Sequence, residues 1–318
     1  MKGSITTQRI VDAFRWTHGG QHLAVAAVYA ACYDLTLQLS FPQWMLTSGL
    51  RLACLLLLPM RFWPALVVGE SLPLMEEAMM CAPDFGIPWA VLQAIPMVAL
   101  WAPLLRFMRQ RWPVFDAEGG VRMGMILWAT IGTSGITALA TTLRLIVALR
   151  HSPGKWPDIV AGDYFSAYLL GAYLGALTLT PTILALRERF EAHQGTPLTM
   201  AAVWRSPLLR DTLSWVLPAM AALTWVAWAV DEEAVRVTAK LALLCPVVAL
   251  AWRHGWHGTA VGGMAASVAL AVTAQGALDP ATIRVQLLLA VMLSITLWLG
   301  ARASRRSQPL TATAWRQR

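Results

Sequence analysis

Charge is what this chain has least of: Asp, Glu, Lys and Arg make up 13% of its 318 residues, against about a quarter in soluble domains. Hydrophobic residues fill 57%. Apolar runs recur from about residue 22 to about residue 301, with no polar interval longer than roughly two dozen residues, so no soluble domain fits between them. Cysteine is scarce too. Cys32, Cys54, Cys81 and Cys245 show no metal or redox spacing, which excludes a disulfide framework or a zinc site and makes them small buried hydrophobes. A cleavable leader is also lacking: residues 1–20 carry Lys2, Arg9, Asp12 and Arg15 without an apolar core, so the first apolar run is expected to stay as an anchor. Nothing matches a nucleophile elbow, a P-loop or a zinc-protease helix. The sequence therefore calls for no enzyme activity, metal or cofactor.

What is present is a series of bilayer-length runs. At about twenty residues per span, broken at charges, Pro and Gly, helices are predicted near 22–40, 43–59, 61–81, 87–108, 122–149, 160–186, 212–230, 235–252, 256–275 and 282–301. The fold class is an all-α integral membrane protein, a polytopic bundle of about ten transmembrane helices. Its membrane domain covers 21–301, between a tail at 1–20 and a basic tail at 302–318. With the N-terminus cytoplasmic, the inner segments collect Arg9, Arg15, Arg61, Arg106, Arg109, Arg111, Arg122, Arg187, Arg205, Arg253 and Arg302. The outer loops keep Arg150, Lys155, Arg236, Lys240 and Arg284 among Glu76, Glu77, Asp84, Asp158, Asp231, Glu232, Glu233 and Asp279. Both termini are then cytoplasmic, and the site is the bacterial cytoplasmic (inner) membrane. The net charge of +8 reflects this bias and contact with membrane lipid; no nucleic-acid partner is implied. Ile10, Val11 and Phe14 share a face that suits either an interfacial helix or a disordered tail.

Two charges need explaining. Arg51 lies nine residues before the turn near Met60 and Glu70 ten after it, so both sit roughly 14–15 Å from the inner face. Neither is tolerable alone at that depth, and an ion pair between antiparallel neighbours is expected. The pair is either a register pin or part of a polar site. Asp34, Glu76, Glu77, Arg144 and Asp163 all fall between mid-membrane and the outer surface. If they converge, an outer-half pocket results, framed by Trp44, Tyr164, Tyr168 and Tyr173. The candidate ligand-binding residues are Arg51, Glu70, Asp34, Glu76, Arg144, Asp163 and Tyr168. His254 and His257 have a metal-compatible spacing, but Gly255 and Gly258 make an ordinary turn the better reading. Gly262, Ala266 and Ala269 suit close helix packing and allow a homo-oligomer.

Three blocks together resemble the founding class of membrane-associated sensor (MASE) domains: "SGLRLACLLLLPMRFWPALVVGE", "YLLGAYLGALTLTPTILAL" with Gly171, Gly175, Thr180 and Pro181, and "CPVVALAWRHGWHGTAVG" with Pro246, Arg253, Gly255 and Gly258. The family often carries an acid after the glycine of the second block, where this chain has Ala172. The resemblance implies a sensory input domain that normally precedes a histidine kinase, a diguanylate cyclase or a cyclic-dinucleotide phosphodiesterase. Residues 302–318 hold no such output, so the expected sensor signals through a separate partner of that kind. Two other expectations stand beside it: a small-solute transporter whose path is lined by Arg51, Glu70 and Arg144, and a scaffold without a ligand.

Overall fold

The computed structural model describes residues 18–116, 120–151, 159–192, 206–276 and 278–306. The segment expected to lie at the interface near residues 10–14 and the tail beyond 306 fall outside them. Regular structure in the described residues is helical, apart from isolated bridges at Phe41–Trp44 and Phe115–Val121. In chain order the helices are α1 (His18–Gln38), α2 (Leu46–Leu57), α3 (Trp63–Phe85), α4 (Ile87–Gln93), α5 (Met97–Arg111), α6 (Met123–His151) and α7 (Ala161–Ala192). They continue as α8 (Pro207–Asp211), α9 (Leu217–Ala229), α10 (Glu233–Ala242), α11 (Leu244–Val272) and α12 (Pro280–Arg306). A 3-10 turn (Met60–Phe62) joins α2 to α3, and a π-turn (Thr212–Val216) joins α8 to α9.

By length and apolarity five stretches can cross a bilayer: Met123–His151, Ala161–Glu188, Pro207–Ala229, Glu233–Val272 and Pro280–Ser304; α4 and α5, bent by 41°, make a sixth if they form one span. The span predicted at 43–59 is shorter than expected. Its twelve helical residues reach about 18 Å, less than the roughly 30 Å hydrocarbon core, and a tight turn at Phe41–Trp44 precedes them. The span predicted at 87–108 is broken in the middle.

The bundle is arranged for lipid. Leu23, Met80, Ile87 and Trp128 are exposed, while Thr130, Thr133, Thr137, Arg51, Glu70 and Lys240 are buried. With hydrocarbon outside there is no penalty for exposing apolar surface, so side chains that need partners turn inward. This corrects the expectation for cysteine: Cys32 and Cys245 are exposed, and Cys54 and Cys81 only partly covered, because an apolar thiol gains little by leaving lipid for the interior.

Glycine sets the closest contacts. A Cβ on Gly175 would overlap the Met45 carbonyl, one on Gly171 the Pro42 carbonyl, and one on Gly49 the Gly175 carbonyl. The loop entering α2 therefore lies directly on α7, fixed by Met45 N–H to the Gly171 carbonyl at 2.9 Å and Thr180 Oγ1 to the Gly49 carbonyl at 2.9 Å. In α11, Gly255 adopts φ 59° and ψ −143°, a backbone conformation that favours glycine. The chain reverses there: a Cβ on Gly262 would lie 3.3 Å from the Val247 Cα, so 244–254 and 256–272 run as two antiparallel arms. Gly262 and Ala266 are buried inside the chain, and neighbouring Gly263 faces Leu293 of α12. This small-residue stripe packs internally.

Candidate functional site

Proline explains the break between α4 and α5. Pro96 has no N–H to give to the carbonyl of Leu92 one turn earlier, and its ring crowds that carbonyl. The helix stops at Gln93 and restarts at Met97, leaving carbonyls on one side and N–H groups on the other that lipid cannot satisfy. Charged side chains from neighbouring helices take both. Arg144 of α6 donates Nε to the Leu92 carbonyl at 3.1 Å and Nη2 to the Ile95 carbonyl at 2.8 Å. Glu70 of α3 accepts the Met97 N–H at 3.1 Å on Oε1 and the Val98 N–H at 3.2 Å on Oε2. A carboxylate at a helix N-terminus and a guanidinium at a C-terminus are each favoured by the helix dipole.

Glu70 is also the partner of Arg51. Arg51 Nε meets Glu70 Oε1 at 2.8 Å, Arg51 Nη2 donates to the Tyr33 hydroxyl at 3.0 Å, and the Tyr29 hydroxyl donates to Glu70 Oε2 at 3.4 Å. The guanidinium lies 5.1 Å and 5.7 Å from the ring centroids of Tyr33 and Trp101. Arg51 is 4% exposed and Glu70 0%. The node therefore joins α1, α2, α3 and α5, closed on all sides, with its strong donors and acceptors directed at one another.

The other candidates stand apart from it. Arg144 reaches the same broken helix from the α4 side and is partly exposed. Asp34 is exposed and accepts a hydrogen bond from Gln38 one turn on, at 3.1 Å. Glu76 and Asp163 are exposed. Tyr168 packs on Tyr164 with centroids 5.9 Å apart. Of the framing residues, Trp44 donates its indole N–H to Thr178 Oγ1 at 3.2 Å, and the Tyr173 hydroxyl pairs with Ser294 at 2.9 Å. Among the described residues, hydrogen bonds bring together Arg51 and Glu70 but do not draw Asp34, Glu76, Asp163 or Tyr168 to them.

Several polar residues escaped the sequence reading. Tyr29 and Tyr33, four apart on α1, complete the node. Arg109 closes the other end of α2, donating Nη1 to the Leu55 and Leu58 carbonyls at 2.6 and 2.8 Å. Lys240, counted from sequence among outer-loop charges, is 0% exposed. Its Nζ meets Asp279 Oδ2 at 2.8 Å and Thr282 Oγ1 at 2.7 Å. Asp279 also caps α12 by accepting the Ala281 N–H at 3.0 Å. Burial alone would raise its carboxyl, but hydrogen bonds from Lys240 and Thr282 and the ammonium charge outweigh burial and hold it at about 2. The Asp-Pro start of α12 is an N-cap signature legible in sequence; its tie to Lys240 is not. His254 and His257 each meet a carboxylate, Asp211 and Glu188, both at 3.0 Å. They brace the Gly255 reversal. Among the described residues no group of three or more His, Cys, Asp or Glu is placed to hold a metal ion.

Helices of bilayer length, apolar faces turned outward and buried charges that complete broken helix ends define a polytopic α-helical membrane domain. The chain belongs to the MASE1 family of membrane sensor domains, whose model matches residues 21–307. It is also similar to the signal transduction histidine-protein kinase/phosphatase UhpB of Salmonella typhimurium (strain LT2), with 27% identity over 226 residues, covering 70% of this chain and 39% of UhpB. The chain thus spans about two fifths of that relative's length. No solved structure matches it.

Proposed function

We propose that this chain is a sensory module of the bacterial inner membrane, crossing it ten times with both termini cytoplasmic. It reads a ligand or a membrane state in its outer half and signals through a separate protein, a kinase, cyclase or phosphodiesterase. The observation that carries this reading is the interrupted α4–α5 span, whose open ends are held by Arg144 on one side and Glu70 on the other. An interrupted helix with one end anchored and the other held by a partly exposed side chain has a natural alternative state, which differential binding can populate. Arg51 and Glu70 form the fixed pivot, Arg144 is the member a ligand reaches, and Asp34, Glu76, Asp163 and Tyr168 border its approach from outside.

Interrupted helices also line substrate sites in transporters, which keeps a small-solute permease as the second reading. A path along Arg51 and Glu70 would require opening the node that now seals both residues. The two readings separate when the chain is joined after residue 306 to a soluble diguanylate cyclase domain. A sensor changes cyclic-dinucleotide output when Arg144→Gln or Pro96→Ala is introduced, and its proteoliposomes move no solute. Unchanged output in both variants would remove the sensory reading, and solute flux would favour the permease.

A further inference from the structure

Among the described residues the charges inside this bundle do not all balance locally, and Arg144 is the cation left without a carboxylate beside the interrupted span. Arg51 has Glu70 at 2.8 Å and Lys240 has Asp279 at 2.8 Å. Arg144 has no carboxylate within ion-pair distance among the described residues; its contacts there are the carbonyls of Leu92 and Ile95. Glu77 takes the Gln93 amide at 2.7 Å instead. Arg144 lies seven residues before the end of α6 at His151, about 10 Å along the helix axis. Unlike Arg51 it is partly exposed, and two of its five N–H donors are used.

We propose that Arg144 is the binding point for an anionic oxygen, that of a carboxylate or phosphate group entering from the outer side, and that the anion frees the end of α4 by taking the guanidinium from it. This names the ligand class for the sensory reading above and rests on it. A guanidinium binds a carboxylate or phosphate in a forked, charge-assisted pair, stronger than its bonds to neutral carbonyls. A cation without a counter-charge in the outer half of a membrane protein gains further from being neutralised there. The edge that such an anion prefers, Nε with Nη2, is the edge now holding Leu92 and Ile95, so binding and release are the same exchange.

The release has a route onward. Glu70 keeps the N-terminus of α5, so α4 can swing about residues 94–96 while α5 remains attached to the node. At its far end α5 carries Arg109, which holds the last carbonyls of α2. Once α4 no longer restrains it, α5 can tilt about its Glu70 anchor, and a change in the 41° bend then reaches the Arg109 contact at the opposite face of the bundle.

The test uses the full chain in nanodiscs and reads hydrogen exchange of the peptide covering residues 87–98. One arm adds sodium phosphate or sodium acetate to neutral phosphatidylcholine discs, against sodium chloride at equal ionic strength; the other adds phosphatidylglycerol to the discs without a soluble anion. We expect exchange to rise by about fivefold or more, the factor lost with one net hydrogen bond, in at least one arm. A response to soluble anion alone identifies a free ligand, and a response to phosphatidylglycerol alone identifies a lipid headgroup. Arg144→Gln abolishes the rise. Arg144→Lys keeps the charge without the fork and reduces it, and it decides the matter if the glutamine variant misfolds by exchange elsewhere in the chain. No rise in either arm, or a rise that survives both substitutions, overturns the proposal. A cyclase fusion responsive to Pro96→Ala beside a silent anion assay would sink this inference and keep the sensory reading; anion-driven opening beside a silent fusion would do the reverse.

Discussion

At the scale of single residues, Glu70 has more than one task. It neutralises Arg51 and also terminates α5 through the Met97 and Val98 N–H groups. Glu70→Leu removes both functions and leaves a buried guanidinium alone, a loss of about 3–5 kcal/mol for a broken buried pair. Glu70→Gln retains an acceptor for the backbone and should cost less. Arg51→Leu with Glu70→Gln should cost least, since no unpaired charge then remains. Unfolding in mixed detergent micelles ranks the three, and equal losses for Glu70→Leu and Glu70→Gln would show that the helix end draws nothing from Glu70. The sequence made this pair visible because the two residues lie at matched distances from a turn. It did not reveal what else they bind, since Tyr29, Tyr33 and the Met97 amide are brought in by packing that no local spacing encodes. Lys240 was misassigned for the same reason: its partner Asp279 is 39 residues away and reaches it only because α12 returns beside α10.

At the scale of helices, glycine and proline carry most of the information. Gly171 and Gly175 stood out in the sequence only through the family resemblance; their packing partner is the irregular loop before α2, where backbone meets backbone. Gly175→Ala should separate α2 from α7 at a cost of about 1–3 kcal/mol or more, because the opposing Met45 carbonyl cannot rotate away as a side chain could. Gly135→Ala is the control: nothing lies within 4 Å of its new Cβ, and the helix gains up to about 1 kcal/mol. Thermal unfolding of the two variants should therefore move in opposite directions. The tie between α10 and α12 adds a pH dependence. Asp279 titrates at about 2 in the fold, against about 3.9 unfolded. A depressed carboxyl stabilises the fold above the unfolded value, and that contribution fades as pH falls from about 4 toward 2. Asp279→Asn should lower the melting temperature at neutral pH, and the gap from wild type should shrink through that window. A gap that stays constant with pH would mean that the Lys240 contact contributes no titratable stability.

At the scale of the whole molecule, topology turns on Gly255. Read by length alone, Glu233–Val272 is one apolar helical stretch of 40 residues, a single crossing that would shift the parity of everything after it. Its positive φ and the contact of Gly262 with Val247 split the stretch into two arms, in keeping with the turn expected at "RHGWHG". In the proposed ten-span arrangement, the two arms supply the crossing that keeps the count even and brings the end of α12 to the side of the N-terminus, as the charge bias requires. The consequence is measurable with single cysteines at Arg253 and Gly276, in a background where the four native cysteines are alanine. A membrane-impermeant maleimide added to intact cells should label position 276 and reach position 253 only after the inner membrane is opened. If the stretch crossed once, position 253 would sit in hydrocarbon and resist labelling in both conditions, so the paired result distinguishes a hairpin from a single long span. Only the hairpin brings Arg253 and His254 to Asp211, and His257 to Glu188, around one reversal of the chain.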